Sequence, residues 1–154
     1  MYRVAVLFAP ASLAALAEAV AGGFAKRKFE ATPKATSDAD VSHLNGADVV
    51  VLVAAAAEHG GGAAAHAPHG DFDETRRALH GMNLAGRVAG IVAVGDIDAS
   101  TAITDRLREG LDASEAIAVT ADCHLDGADR HAEARLWVKR LAGEFIELKR
   151  SWVR

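Results

Sequence analysis

The sequence contains few aromatic residues, a single cysteine and no excess of positive charge. Aromatic side chains make up 5% of the 154 residues, so few of them can stack on a flat ligand. Cys123 is the only cysteine, which excludes an internal disulfide bond and fits a reducing compartment. There are 17 basic and 21 acidic residues, and the formal net charge is -4. Because the basic residues are scattered apart from one run at 26–28, a nucleic acid partner is not expected.

Long apolar runs and an export signal are also missing. No run approaches the ~18–20 residues that span a bilayer, and Met1-Tyr2-Arg3 leads directly into a strand pattern. With 51% apolar residues, the chain can build one sizeable core. We therefore expect a soluble, cytoplasmic protein with a single domain over residues 1–154 and no membrane partner.

Apolar runs of strand length recur along the chain. Three near-continuous runs, at residues 3–9, 48–54 and 88–94, are typical of strands that are covered on both faces. A weaker run at 29–35 contains a proline and suits the edge of a sheet. Residues 116–119 suggest a further strand, which brings the expected number to five.

Helical patterns fill the segments between these runs. Ser12 can cap a first helix, and Asp71 with Glu74 three residues later has the spacing of a capping box for a second. Residues 103–111 carry an apolar residue at every fourth position, which indicates a third. The last helix, from near Asp129, has the clearest apolar stripe, formed by Ala134, Trp137, Val138, Leu141, Phe145 and Leu148. Strands that alternate with helices predict a parallel sheet with helices on both faces.

The segments that follow the three main strands are poor in groups that could hold a ligand. In a parallel α/β sheet, ligands bind at the carboxyl ends of the strands. Here the corresponding segments, 10–14, 55–62 and 95–98, contain few side-chain hydrogen-bond donors and no Phe, Tyr or Trp. The sequence therefore indicates the fold more clearly than the ligand.

The chain resembles the short-chain flavodoxins over nearly its whole length. Residues 47–52 are similar to the third strand of that family, residues 87–96 to its fourth strand with the Gly-Asp pair that follows, and residues 125–127 to its last crossover. The resemblance implies a flavodoxin-like three-layer α/β sandwich with a five-stranded parallel sheet of order 2-1-3-4-5. It also implies a ligand site above the switch point between the first and third strands.

The same resemblance implies an FMN site and a role in electron transfer with a redox partner protein. In the family, hydroxyl residues of the first loop hold the FMN phosphate, and aromatic residues after the third and fourth strands enclose the flavin ring. Here only Ser12 keeps a hydroxyl, Pro10 has no N–H, and His59 is the only ring at the matching place. We therefore expect weak FMN binding. The implied contacts are Ala11, Ser12, Leu13, Ala14, Ala55, Ala56, His59, Gly60, Gly61, Gly95 and Asp96.

A second hypothesis is a non-redox binding or interaction module that kept the frame and lost FMN. Such a module could carry a metal, because His59, His66 and His69 lie in one segment with several carboxylates. Their spacing is not diagnostic of a zinc site, and a solvated loop of Gly, Ala and His explains the segment as well.

No catalytic motif is evident. Ser12 has no recognisable His and Asp partners, and the glycines at 60–62 lack the Lys and Ser or Thr of a phosphate-binding loop. Cys123 adjoins acidic residues that should raise its pKa, so we interpret it as a structural thiol. We interpret Trp137 as a core residue. Electron transfer is therefore favoured over catalysis.

Overall fold

The computed structural model describes residues 1–36, 44, 46–55 and 83–153. Within these residues, five parallel strands form one sheet in the order β2-β1-β3-β4-β5. This is the predicted order, with the proline-containing strand at an edge. The strands are β1 Arg3–Ala9, β2 Glu30–Ala35, β3 Val49–Ala55, β4 Val88–Val94 and β5 Cys123–Leu125.

Three α-helices cover the two faces of the sheet in the same part of the chain. They are α1 Ala14–Ala25, α2 Ile97–Ala113 and α3 His131–Val153, and a 3-10 turn at Ala11–Leu13 precedes α1. α1 and α3 pack on one face, and α2 packs on the other. The predicted three-layer arrangement is therefore confirmed. The helix expected to begin at Asp71 lies outside the described residues.

Side chains along the central strands alternate between the two helical layers. In β1, Val4 and Val6 lie in the core with α1 and α3, whereas Ala5 and Leu7 lie in the core with α2. β3 is buried on both faces over residues 49–54. This double burial explains why the sequence of β3 is a continuous apolar run and does not alternate with polar residues.

Trp137 attaches α3 to the middle of the sheet. Its side chain is 6% exposed, and its indole Nε1 donates a hydrogen bond of 2.7 Å to the carbonyl oxygen of Ala121. The ring lies against β4 at Gly90, where an added Cβ would be 2.7 Å from two ring carbons. A side chain at position 90 would overlap the indole, so Gly90 and Trp137 fit as a pair. The prediction that Trp137 is a core residue is confirmed.

The fifth strand lies later in the sequence than predicted. Residues 116–119 do not form a strand, and Ile117 makes only an isolated bridge to Val88 of β4. After this bridge the chain turns toward α3, where the hydroxyl of Thr120 donates to the carboxylate of Glu144 at 2.8 Å. The chain returns to the sheet only at β5, three residues in length.

Polar contacts from α2 hold β5 at its observed place. The imidazole of His124 is hydrogen-bonded to the hydroxyl of Ser100 at 2.9 Å. Asp122, just before β5, forms an ion pair with Arg108. Because these contacts join polar residues that are 14 and 24 positions apart, no apolar pattern in the sequence reveals them. The prediction of a strand at residues 116–119, which was based on apolar content, is therefore wrong.

We predict that Trp137→Ala destabilises the protein by about 3–5 kcal/mol, because it leaves a cavity between α3 and β4. The free energy of unfolding, measured by chemical denaturation, reports this change. The neighbouring Leu136→Ala is a matched control, since Leu136 is 67% exposed, and it should change stability by no more than about 0.5 kcal/mol. Equal effects of the two substitutions would contradict the packing described for Trp137.

We also predict that Gly90→Ala destabilises the protein by about 1–3 kcal/mol, because the new methyl group overlaps the indole of Trp137. In the Trp137→Ala background the same methyl group enters the space left by the ring, so its cost should largely disappear. A double-mutant cycle on the free energy of unfolding measures this coupling. Additive effects would show that the two residues do not share one packing site.

Candidate functional site

The carboxyl ends of β1, β3 and β4 meet along one edge of the sheet, which we call the carboxyl edge. Ala9 at the end of β1 pairs with Ala54 of β3, and Ala55 pairs with Val94 of β4. β2 lies on the other side of β1, so the strand order reverses between β1 and β3. In open α/β sheets, ligands bind at such a switch point. The described segments that follow these strands are residues 10–14 and 95–98.

The loop after β1 forms a closed 3-10 turn. The N–H of Leu13 donates to the carbonyl oxygen of Pro10 at 3.0 Å, and the N–H of Ala14 donates to the carbonyl oxygen of Ala11. The N–H groups of Ala11 and Ser12 have no hydrogen-bond partner within the described part of the chain. Both residues are exposed, whereas the side chain of Leu13 is buried in the core. Of the predicted contacts in this loop, Ala11 and Ser12 are therefore the exposed residues whose N–H groups have no partner among the described residues.

Ser12 does not cap α1, which corrects the prediction. α1 begins at Ala14, and no side chain accepts a hydrogen bond at its start. A cap at Ser12 would accept the N–H of Ala14 or Ala15, but the N–H of Ala14 is bonded to the carbonyl oxygen of Ala11 within the 3-10 turn, and the Ser12 hydroxyl accepts neither. The hydroxyl of Ser12 therefore does not cap the start of the helix, and Ser12 stays exposed at the carboxyl edge.

The start of α1 differs in charge from the other described helix starts. Asp96 caps α2 and Asp98 lies in its first turn, and Glu133 lies in the first turn of α3. Neither the 3-10 turn nor the first turn of α1 contains an acidic residue. Helix starts attract anions through free N–H groups and the helix dipole, but a nearby carboxylate repels them. Among these helices, an anionic group therefore fits best at the start of α1.

Gly95 and Asp96 shape the carboxyl edge after β4. Gly95 has a φ of 145°, which favours glycine, and its N–H donates to the carbonyl oxygen of Leu125 at 2.9 Å. Oδ1 of Asp96 accepts the N–H of Ala99 at 2.8 Å and so caps α2. The Gly95 N–H and the Asp96 Oδ1 are therefore already bonded within the protein. This predicted pair offers a ligand surface to lie on, but these two groups are not available to hydrogen-bond it.

Two further residues belong to this edge, and the sequence reasoning missed them. Ile97 follows Asp96 and is 67% exposed, so it offers apolar surface beside Gly95. Thr36 follows β2, its N–H donates to the carbonyl oxygen of Phe8 at 3.0 Å, and its buried hydroxyl has no partner among the described residues. An isoleucine between two aspartates was a visible signal for Ile97, whereas no sequence pattern marks the burial of Thr36.

Several predicted site residues lie outside the described part of the chain, namely Ala56, His59, Gly60, Gly61, His66 and His69. The predictions of a flavin contact at His59 and of a metal site in this segment therefore stay predictions. Among the residues that the structure describes, no three His, Cys, Asp or Glu side chains converge on a metal position. No helix in that part of the chain has the length and apolar character needed to cross a membrane.

The side chains around β5 have structural roles. Burial, together with Glu133 and Asp122, raises the pKa of the Cys123 thiol from 9.0 to about 11. The thiol is therefore protonated at neutral pH and is a poor nucleophile, as the sequence predicted. Ser100 is fully buried beside His124. A substrate cannot reach its hydroxyl, so this Ser-His pair fixes β5 against α2 and does not form a nucleophilic site.

Comparison with known proteins supports the fold. No family model and no curated protein matches the sequence. Solved flavodoxins match the structure over most of the chain. At 12–15% identity these likenesses establish the fold alone, and the chain therefore has a flavodoxin-like fold, as predicted.

Three of these structures illustrate the match. A short-chain flavodoxin associated with a non-canonical PDU bacterial microcompartment has a TM-score of 0.74 at 15% identity, over 96% of this chain and 99% of that chain. A cysteine-to-alanine mutant of the Pseudomonas aeruginosa flavodoxin has a TM-score of 0.78 at 15% identity, over 93% and 98%. The Fusobacterium nucleatum flavodoxin bound to flavin mononucleotide has a TM-score of 0.74 at 12% identity, over 94% and 99%.

We predict that Cys123 reacts slowly with iodoacetamide in the folded protein. A pKa raised from 9.0 to about 11 lowers the thiolate fraction at pH 8 by roughly a hundredfold relative to the unfolded chain. The alkylation rate at pH 8, measured with and without denaturant, should differ by at least that factor. Equal alkylation rates in the folded and the denatured protein would contradict the raised pKa of the Cys123 thiol.

The same shift predicts a dependence of stability on pH. The folded thiol keeps its proton at a pH where the unfolded thiol has lost it, so the free energy of unfolding should fall as pH rises from 9.0 to about 11. Cys123→Ala should remove the part of this decrease in the free energy of unfolding that comes from the thiol. Chemical denaturation of both proteins across that range measures it.

Proposed function

We propose that this protein is an electron carrier that binds FMN weakly at the carboxyl edge of its sheet. The observation that carries the proposal is the start of α1. It lies at the switch point between β1 and β3, it has no carboxylate in its first turn, and it has two N–H groups without a hydrogen-bond partner among the described residues. The solved structures with this fold support the choice of ligand, because they are flavodoxins and one is bound to flavin mononucleotide.

The phosphate of FMN would be held by the 3-10 turn. The available donors are the N–H groups of Ala11 and Ser12 and the hydroxyl of Ser12. Hydrogen bonds to a charged group contribute about 1.5–3 kcal/mol each. Residues 10–14 contain no Lys or Arg, so these donors and the helix dipole alone would offset the loss of phosphate hydration. This small set of donors fits a phosphate group but predicts low affinity.

The flavin ring would lie along the rest of the carboxyl edge. When bound, FMN supplies a ring that accepts and returns electrons. In the described part of this edge, Ala55, Gly95 and Ile97 offer small or apolar surface, and no Phe, Tyr or Trp follows β1 or β4. The ring would therefore be poorly enclosed, which again favours weak binding. Ala56, His59, Gly60 and Gly61 remain proposed contacts on the side of β3.

An electron carrier requires a second protein to exchange electrons with. We therefore include in the proposal a redox partner protein and a place of action in the cytoplasm. The alternative is the non-redox module. In that case the 3-10 turn is held by its own two hydrogen bonds and binds no phosphate. A binding measurement separates the two.

We predict that FMN binds in a fluorescence titration only when it is supplied in excess, and that riboflavin binds more weakly because it lacks the phosphate. Ser12→Ala should weaken FMN binding about tenfold, the equivalent of one charge-assisted hydrogen bond of ~1.5 kcal/mol. It should leave riboflavin binding unchanged. Ala11→Thr adds a hydroxyl at an exposed position and should tighten FMN binding by a similar factor.

Ser151→Ala is the matched control, because Ser151 is an exposed serine near the end of α3, remote from the carboxyl edge. It should affect neither ligand. No quenching of flavin fluorescence at millimolar FMN would exclude the carrier and leave the interaction module. Equal affinities for FMN and riboflavin would show that the 3-10 turn does not hold the phosphate.

A further inference from the structure

The outward side of α3 forms a shallow groove, which we call the α3 groove. It runs beside Val119 and is lined by Leu136, Lys139, Arg140, Gly143, Glu147 and Leu148. Leu136 is 67% exposed, and Leu148 is partly exposed. The groove thus has an apolar position near each end and a glycine between them.

The packing of the monomer does not require a glycine at position 143. At Gly90 an added Cβ would meet Trp137 at 2.7 Å, and at Gly23 it would meet Val138 at 3.1 Å. At Gly143, as at Gly22 of α1, an added Cβ would meet no described atom within 4 Å apart from its chain neighbours and the backbone of its own helix. A glycine inside a helix lowers its stability relative to alanine. Close approach of another backbone is a physical use for such a position.

The charges of the α3 groove are arranged in two opposite halves. Lys139 and Arg140 precede Gly143, and Glu144 and Glu147 follow it. Within the described part of the chain, neither Lys139 nor Arg140 forms an ion pair or a side-chain hydrogen bond, whereas Glu144 accepts from Thr120 and Glu147 pairs with Arg150. A surface that is positive at one end and negative at the other is complementary to itself when rotated by a two-fold axis.

We propose that two copies of this protein associate through the α3 groove, with the two α3 helices antiparallel and crossing near Gly143. In this arrangement Lys139 of each copy faces Glu147 of the other. Leu136 of each copy lies near Leu148 of the other, and the absence of a side chain at Gly143 allows the backbones to approach. One helix pair buries less than the roughly 1,200 Å² of a standard interface. The dimer is therefore weak, and salt weakens it further.

Sedimentation equilibrium from about 10 μM to 1 mM at low salt tests the proposal, because weak interfaces of this size are populated in that range. The expected result is a reversible monomer-dimer equilibrium that shifts at least tenfold toward monomer in high salt. Gly143→Gln should abolish the dimer and raise the melting temperature of the monomer, since glutamine is the better helix former and has open space. A monomeric wild-type protein at 1 mM would overturn the proposal.

Charge reversal gives a second, independent readout. Lys139→Glu and Glu147→Lys should each be monomeric, because like charges then face each other across the two-fold axis. An equimolar mixture of these two variants should form a heterodimer, and the double variant K139E/E147K should dimerise again. Arg106→Glu mixed with Glu109→Lys is the matched control on the exposed side of α2 and should stay monomeric. Dimers in all variants, or association of the control pair, would show that the α3 groove is not the interface.

Discussion

The burial of β3 on both faces is the constraint on which the rest of the structure depends. Every residue from Val49 to Ala54 is inaccessible to solvent, so helices must cover the sheet on both sides. α1 and α3 supply one layer, and α2 supplies the other. With both faces covered at the centre, a ligand finds open backbone groups where the strands end. This is why the start of α1, directly after β1, is the place at which the fold itself provides hydrogen-bond donors.

The last third of the chain is held by contacts of a different kind. Trp137 lies on Gly90, and its indole donates to the carbonyl oxygen of Ala121, so one side chain joins α3, β4 and the segment before β5. From the other face, Ser100 and Arg108 of α2 hold His124 and Asp122. β5 is thus fixed between two layers by directional polar contacts, although it contains only three residues. Its apolar content alone would not have determined its position.

The proposed phosphate site and the proposed flavin ring site depend on different parts of the molecule. Backbone N–H groups at a helix start can receive a phosphate with little help from side chains. Enclosure of a flat ring needs large side chains, and the described carboxyl edge offers Ile97 in their place. The described carboxyl edge therefore suits a phosphate group better than it suits a flat ring. The α3 groove lies on a helical layer and the proposed ligand site lies at the carboxyl edge, so the two proposals concern separate surfaces.

The sequence by itself determined the class of fold and the core role of Trp137, because apolar periodicity directly reflects which faces are buried. The order of the strands followed from the resemblance of the sequence to the short-chain flavodoxins. The sequence also indicated the direction of the pKa shift of Cys123, since the acidic neighbours are close along the chain, although burial is the larger cause. Only the tertiary structure decided the place of β5, the closed turn that removes the capping role of Ser12, and the burial of Thr36. The first and third depend on hydrogen bonds and contacts between residues distant in sequence. The second depends on whether the N–H of Ala14 donates to the carbonyl oxygen of Ala11 or to the hydroxyl of Ser12. These features are fixed by the packing of the whole chain, and a local pattern of residue types does not predict them.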